Sequence, residues 1–558
     1  MKRLSVSATV VAGGINYTYD SFNRLSSKTS DFYVIEYTGT RFTNTVGYTY
    51  ETAANNGLTY PRVASYTSQV NNNAATVYRY SYDDSGNITQ ISDGNNVIQY
   101  RYRYDNLGQL IREDNRPMNQ SYTYTYDNAG NRTSKKTYAF TTGTLGTVQS
   151  TQNYTYGNAA WGDQMTKAGT AEIGYDSIGN PIAIEDPNDY GNEIYMQWQG
   201  RRLVRYSRSS IVEYGVMTFR YNDAGIRVEK TVDESESGYY WTHQYLTDGS
   251  RIISEIVYNG SAEAYRLIYL YDESGAPIGM QYRTPSMAQG VFYTYWFEKN
   301  LQGDIIAVYN EAGTKLFSYV YDAWGNFSTT IHNNSGTNWI ASYNPFRYRG
   351  YYYDTETGFY YLNSRYYNPQ WGRFLNADGY VSTGSGLLGY NMFAYCGNNP
   401  IMRVDPTGEF WFLVVAVVSV IATVGTIVHY NRNHWNEEPD ESELQNIVDG
   451  KTDWEEQGPE KNLYHTYTTG EQGDDAIYNK KFLNGNNEIV ICYDKEEQPV
   501  PYISHDPINM GTYNFVNPDG TWDNEILHMI VDVVPYYILG NKPFERTWIW
   551  DRVRGNKR

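Results

Sequence analysis

The residues best placed for chemistry lie near the C-terminal end. His528 and Asp532 stand four apart in Asn524-Glu525-Ile526-Leu527-His528-Met529-Ile530-Val531-Asp532. On a helix they would share a face, and the carboxylate would fix the imidazole tautomer. Joined by His505 or His465, such a pair suits acid–base hydrolysis. The same residues also read as ordinary structural histidines beside apolar runs, and both readings stay open. No phosphate loop, zinc spacing or serine elbow accompanies them. Cys396 and Cys492 have no metal-ligand spacing around them, so neither a metal nor a cofactor is expected.

The elements around these residues form a separate unit. Residues 431–558 hold 12 basic and 24 acidic side chains, which gives −12 of the chain's net −18. Glu437, Glu438, Asp440, Glu441, Glu443, Asp453, Glu455 and Glu456 mark an acidic linker. A folded part is expected from about Leu463. Such a negative domain repels a phosphate backbone, so charge implies no nucleic-acid partner. Just before the linker, Phe410–Val428 carries no charge and is long enough to cross a bilayer as a helix. Its β-branched richness equally suits a buried strand or helix.

Most of the preceding chain is repetitive. It is rich in tyrosine (60) and glycine (49) and only 19% charged, a balance that favours strands and tight turns. The unit is an aromatic-x-Tyr-Asp tetrapeptide: Tyr80-Ser81-Tyr82-Asp83, Tyr102-Arg103-Tyr104-Asp105 and Tyr124-Thr125-Tyr126-Asp127, with later copies at Asp176, Asn222, Asp272 and Asp322. Glycine follows three residues on, at Gly86, Gly108, Gly130, Gly179, Gly225, Gly275 and Gly325. The Asp can cap backbone amides while the Gly accepts the left-handed conformation of a reversal. The two aromatics, two apart, face one way and build ladders across successive hairpins. Early copies are 22 residues apart; later the spacing widens to about 50, as if copies had decayed or loops been inserted. The start, Met1-Lys2-Arg3 followed by alternating Ser5, Ser7 and Thr9, reads as strand rather than leader, as in a truncated upstream shell.

This pattern resembles the YD repeat, over roughly residues 15–335, and a more specific stretch follows it. Pro345-Phe346-Arg347-Tyr348-Arg349-Gly350, Arg365-Tyr366-Tyr367-Asn368-Pro369, Gly372-Arg373-Phe374-Leu375-Asn376-Ala377-Asp378 and Asp405-Pro406-Thr407-Gly408 closely resemble the Rhs repeat-associated core. The resemblance implies one long β-strip spiralling into a hollow shell around the C-terminal polypeptide, with the core closing it. In many relatives the core is an aspartyl-type autoprotease that cuts just after Asp-Pro-x-Gly-Leu. It further implies Asp405, Pro406, Thr407, Gly408 and Glu409 as cleavage motif and Asp378, with Asp405 and Arg373, as catalytic candidates. Such chemistry needs a second carboxyl near Asp378 with its pKa pushed apart, and the sequence does not identify it. An ion pair of Asp378 with Arg373, sealing the plug, is the structural alternative. Glu409 stands where the family has leucine, Asn368 replaces the usual Asp, and the loop from Gly379 to Tyr390 is long.

The fold class expected is mainly β: a spiralling β-hairpin shell closed by an Rhs core segment, with a small α+β C-terminal domain. The boundaries are 1–343 shell, 344–408 core, 409–430 hydrophobic segment, 431–462 acidic linker and 463–558 effector. The function implied is that of an Rhs-type polymorphic toxin, secreted or on the bacterial surface, with membrane association through residues 410–428. An immunity protein is the expected partner, and a target-cell membrane or surface glycan is the expected contact. The rival reading is a surface adhesion protein presenting tyrosine faces to glycans, its tail inert or an anchor; a solid solenoid or propeller is the rival fold.

Overall fold

The computed structural model describes residues 11–22, 24–34, 41–52, 59–186, 193–208, 214–234, 239–272, 274–288, 290–332, 340–379, 386–409, 412–413, 455–459, 476–484, 487–494 and 513–515. The chain divides into two compact units, Met1–Val418 and Ser419–Arg558. The first is dominated by a 26-stranded sheet, from β1 (Val11–Tyr19) to β26 (Phe327–Ile331). Each strand pairs antiparallel with the strand before and after it, an unbroken meander.

The reversals form as their residues require. At the seven turns that the aromatic-x-Tyr motif marks, the Gly amide donates to the Asp or Asn carbonyl. The side-chain Oδ1 accepts the amide of the residue after Gly. The seven glycines have φ from +75° to +91°, where a Cβ is strained.

The widened spacing conceals further hairpins whose turns lack the tetrapeptide. Between Asn222 and Asp272 the hairpins turn through Asp248-Gly249 and Asn259-Gly260; between Asp272 and Asp322 they turn at Asn300 and Asn310, with Gly303 at φ +87° and Gly313 at φ +77°. Asn supplies the same capping oxygen as Asp, so the strip runs on under a different spelling.

Tyrosine, rather than phenylalanine, precedes the turn because its hydroxyl is used. Tyr82, Tyr104, Tyr126, Tyr221, Tyr271 and Tyr321 each donate to a backbone carbonyl of the preceding hairpin, of Val63, Ile88, Leu110, Leu203, Ile252 and Ile305, at 2.6–2.8 Å. Tyr50, Tyr156 and Tyr175 do likewise to Leu25, Arg132 and Met165. A half-buried ring thus carries a polar tip that stitches one hairpin to the last.

The strip also winds back on itself. Lys28 meets Asp272 at 2.7 Å and Lys135 meets Asp322 at 3.0 Å. Tyr66 donates to the Lys299 carbonyl and Asn73 to that of Gly313. Early strands therefore lie against strands some two hundred residues later.

Residues 344–408 pack on both windings. Their sheet, β27 (Tyr352–Asp354), β28 (Phe359–Leu362), β29 (Arg365–Asn368) and β30 (Arg373–Phe374), is almost wholly buried. Tyr348, Tyr360, Tyr367 and Tyr395 share one apolar core with wall residues Ile305, Trp324 and Tyr124.

The strand β31 (Arg403–Val404) pairs with β32 (Phe412–Leu413). Phe412 and Leu413 are the described part of the apolar run Phe410–Val428; its other residues lie outside the described ones. Among those described, no helix is long and apolar enough to cross a membrane. In the second unit the described residues form an antiparallel sheet of β33 (Glu455–Pro459), β34 (Ala476–Asn484), β35 (Asn487–Asp494) and β36 (Tyr513–Phe515). His505, His528 and Asp532 lie outside them.

Candidate functional site

The site is built on a short hairpin and two chain crossings. The turn Asn363-Ser364 joins β28 to β29 and puts Arg365 first on β29. The chain then passes Asp378, whose amide donates to the Met392 carbonyl at 2.8 Å, and returns through β31 to Asp405. Asp405 caps its own turn, accepting the Gly408 amide at Oδ1 over 2.8 Å. Ser364 straps that turn down, its hydroxyl donating to the Thr407 carbonyl at 2.7 Å. Gly408 is obligatory: at φ +75° a Cβ would sit 2.7 Å from the Leu362 carbonyl and 2.8 Å from Ser364 Oγ.

One guanidinium gathers these pieces. Arg365 lies 2.9 Å from Asp378 and 3.6 Å from Asp405, all three side chains at most 6% exposed. It also donates to the carbonyls of Met392 and Gly408 and stacks 3.6 Å over the Phe374 ring. Burial pushes the Asp405 carboxyl up to about 6, with Arg365 and the Gly408 amide opposing and Asp378 reinforcing the rise. Burial lowers Arg365, while Asp378 and Asp405 hold it up. Two carboxyls in unequal surroundings, bridged by a cation that also grips a motif carbonyl, are equipped for acid and base work on a neighbouring peptide.

The structure thus brings Asp378 and Asp405 together and leaves Arg373 apart. Arg373 donates to Tyr156 Oη at 2.8 Å and to the Asp163 carbonyl at 2.6 Å, under Phe393. The cation facing Asp378 is Arg365, which the sequence reading passed over. Of the motif, Pro406 and Glu409 are exposed while Gly408 is buried. A second missed set holds the core in place. The amide side chain after the turn glycine, Asn87, Gln109 or Asn131, accepts from Asn399, Asn398 and Asn391 at 2.9 Å each. Its regular place four residues after each Asp was the available signal.

A meander of Asp-capped hairpins, wound on itself and closed by a segment holding a carboxyl–guanidinium cluster, defines the class of β-strip shells. The RHS Repeat profile matches residues 82–117, and the chain is similar to Rhs/YD-repeat proteins. The tRNA3(Ser)-specific nuclease WapA of Bacillus spizizenii is 31% identical over 259 residues, 45% of this chain and 10% of that protein. Toxin protein Tse5 of Pseudomonas aeruginosa is 42% identical over 71 residues, 13% of this chain and 5% of that one. The crystal structure of TcdB2-TccC3 without its hypervariable C-terminal region matches 71% of this chain and 20% of its own, with TM-score 0.53 and 20% identity; it shares the fold. This chain spans about a tenth or less of these two relatives' length.

Proposed function

We propose that this chain is the C-terminal part of an Rhs-type polymorphic toxin whose wall and core sequester a variable C-terminal effector, and whose core cuts the chain beside Glu409. The observation that carries the self-cleavage is the convergence of Asp378 and Asp405 on Arg365, with the same guanidinium on the Gly408 carbonyl. In this reading Asp378 activates water, Asp405 supplies the proton to the leaving amide, and Arg365 steadies charge developing beside Gly408. Similarity to Tse5 and to a WapA nuclease supports the toxin class. The effector is residues 463–558, with His505, His528 and Asp532 as its candidate hydrolytic set, and an immunity protein is its partner.

Intact-mass spectrometry of the purified chain tests the processing. A fragment starting near Glu409 is expected from the native chain and none from Asp378→Asn. An intact native mass removes the protease assignment and leaves the cluster as structure. Expressing residues 431–558 alone in a bacterium tests the payload; unchanged growth favours the adhesion reading.

A further inference from the structure

The two tyrosines of a repeat use their hydroxyls differently. In Tyr80-Ser81-Tyr82-Asp83 and Tyr102-Arg103-Tyr104-Asp105 the second tyrosine donates to a backbone carbonyl of the wall. In other copies the first tyrosine also has a protein acceptor: Tyr124 donates to Glu113 at 3.1 Å and Tyr269 to Glu255 at 2.5 Å. Where no hydroxyl is needed, Phe219 holds the place. Tyr80 and Tyr102 follow neither course. They are 6% and 5% exposed, yet no hydrogen bond among the described residues engages either hydroxyl. Buried phenols ordinarily find a partner. Burial also holds both well above the ordinary phenol range, so each remains a donor.

Both tyrosines line a partly open cavity of about 640 Å³. It is walled by β5 (Thr76–Tyr82) and β7 (Ile98–Tyr104) and by the later residues 298–307. Tyr78 and Tyr100 line it too, their hydroxyls likewise without a hydrogen bond among the described residues. The Tyr100 and Tyr102 rings lie parallel within 7°, centroids 6.3 Å apart. Glu298, 1% exposed, accepts the Tyr309 hydroxyl at Oε2 over 2.6 Å. Lys315 approaches that same oxygen only to 3.8 Å, and Oε1 has no hydrogen bond among the described residues. Phenol donors and a carboxylate acceptor in one cavity suit a ligand whose hydroxyls both donate and accept and whose C–H faces pack on rings. Asp93, Glu298, Asp304 and Asp322 outnumber Lys315 and Arg349 around the cavity, which disfavours an acidic ligand.

We propose that this cavity binds a neutral oligosaccharide of about two or three pyranose rings, whose hydroxyls answer Tyr80, Tyr102 and Glu298. The site is separate from the cleavage cluster and the payload, and rests on neither reading. The test applies the full chain to an array of neutral di- and trisaccharides of glucose, galactose and N-acetylglucosamine, with sialylated and uronic-acid glycans beside them, followed by calorimetric titration of those retained. At least one neutral member should bind. Tyr102→Phe removes a single hydroxyl and should weaken that binding about fivefold or more, whereas Tyr104→Phe, whose hydroxyl serves the wall, should leave it within about twofold. Glu298→Gln should weaken it as Tyr102→Phe does. Retention of no neutral glycan, or a preference for the acidic ones, overturns the site. So does native affinity in both Tyr102→Phe and Glu298→Gln, or an equal loss in Tyr104→Phe, which would make the effect one of wall structure.

Discussion

Asp405 is held between opposing influences: burial lifts its carboxyl to about 6, Arg365 and the Gly408 amide pull down, and Asp378 pushes up. If it is the acid of self-cleavage, the single-turnover rate of freshly refolded chain should fall as pH rises through about 6, because the proton to be donated is then lost. A rate flat across that range would assign the acid elsewhere. Arg365→Lys should abolish processing while leaving the fold intact by circular dichroism, since an ammonium cannot span Asp378, Met392 and Gly408 at once. The sequence displayed Asp378 and the Asp405 turn as motif residues, but Arg365 lies 13 and 40 positions from them. No local periodicity links such residues; the crossing that joins them is tertiary. Arg373, adjacent in the motif to Phe374, was the obvious cation and proves to bind Tyr156 instead.

Among elements, the hairpin is the repeating quantity, and its tyrosine hydroxyl joins it to the next. Tyr104 donates to the Ile88 carbonyl at 2.8 Å; Tyr104→Phe leaves that carbonyl unanswered and should cost about 1 kcal/mol in urea unfolding, with an unchanged slope. A cost indistinguishable from zero would reduce the ladder to packing. The core is fastened more tightly, because Asn398 donates to both the Gly130 carbonyl at 2.6 Å and Gln109 at 2.9 Å from a buried position. Asn398→Ala should therefore destabilise by about 2 kcal/mol and raise hydrogen exchange in residues 386–409 before the wall. Strands and turns were legible wherever Tyr-Asp and Gly kept their spacing, since both act within five residues. The hairpins at Asp248, Asn259, Asn300 and Asn310 escaped because two-residue turns and Asn caps satisfy the same backbone without the same letters. That the strip coils was legible only through resemblance, because the pairs that close it are as distant as Lys28 and Asp272.

For the first unit as a whole, those distant pairs make stability a function of pH, with carboxyls of opposite sign. Glu113, buried where the windings meet, accepts from the Ala323 amide and from Asn115 and Tyr124. Burial, reinforced by Asp322, lifts it to about 8. Its folded value exceeds its unfolded one, so its contribution is complete below about 4.5 and is lost as pH rises toward 8. Asp405 acts in the same direction between its ordinary 3.8 and about 6. Against these stand Glu356, which burial would raise but Lys230 draws down to about 2, and Asp272, held low by Lys299 and Lys28 despite burial. Their contributions are present above the ordinary carboxyl range and disappear on acidification. The gains of the lowered carboxyls end where the losses of the raised ones begin, so thermal unfolding of the native chain should give its highest Tm at about pH 4–5, declining on both sides. Glu113→Gln keeps the hydrogen-bond shape without the proton and should flatten the alkaline decline, leaving the acid limb untouched. An acid limb that moves with it would mean that Glu113 is not the group through which the windings sense rising pH.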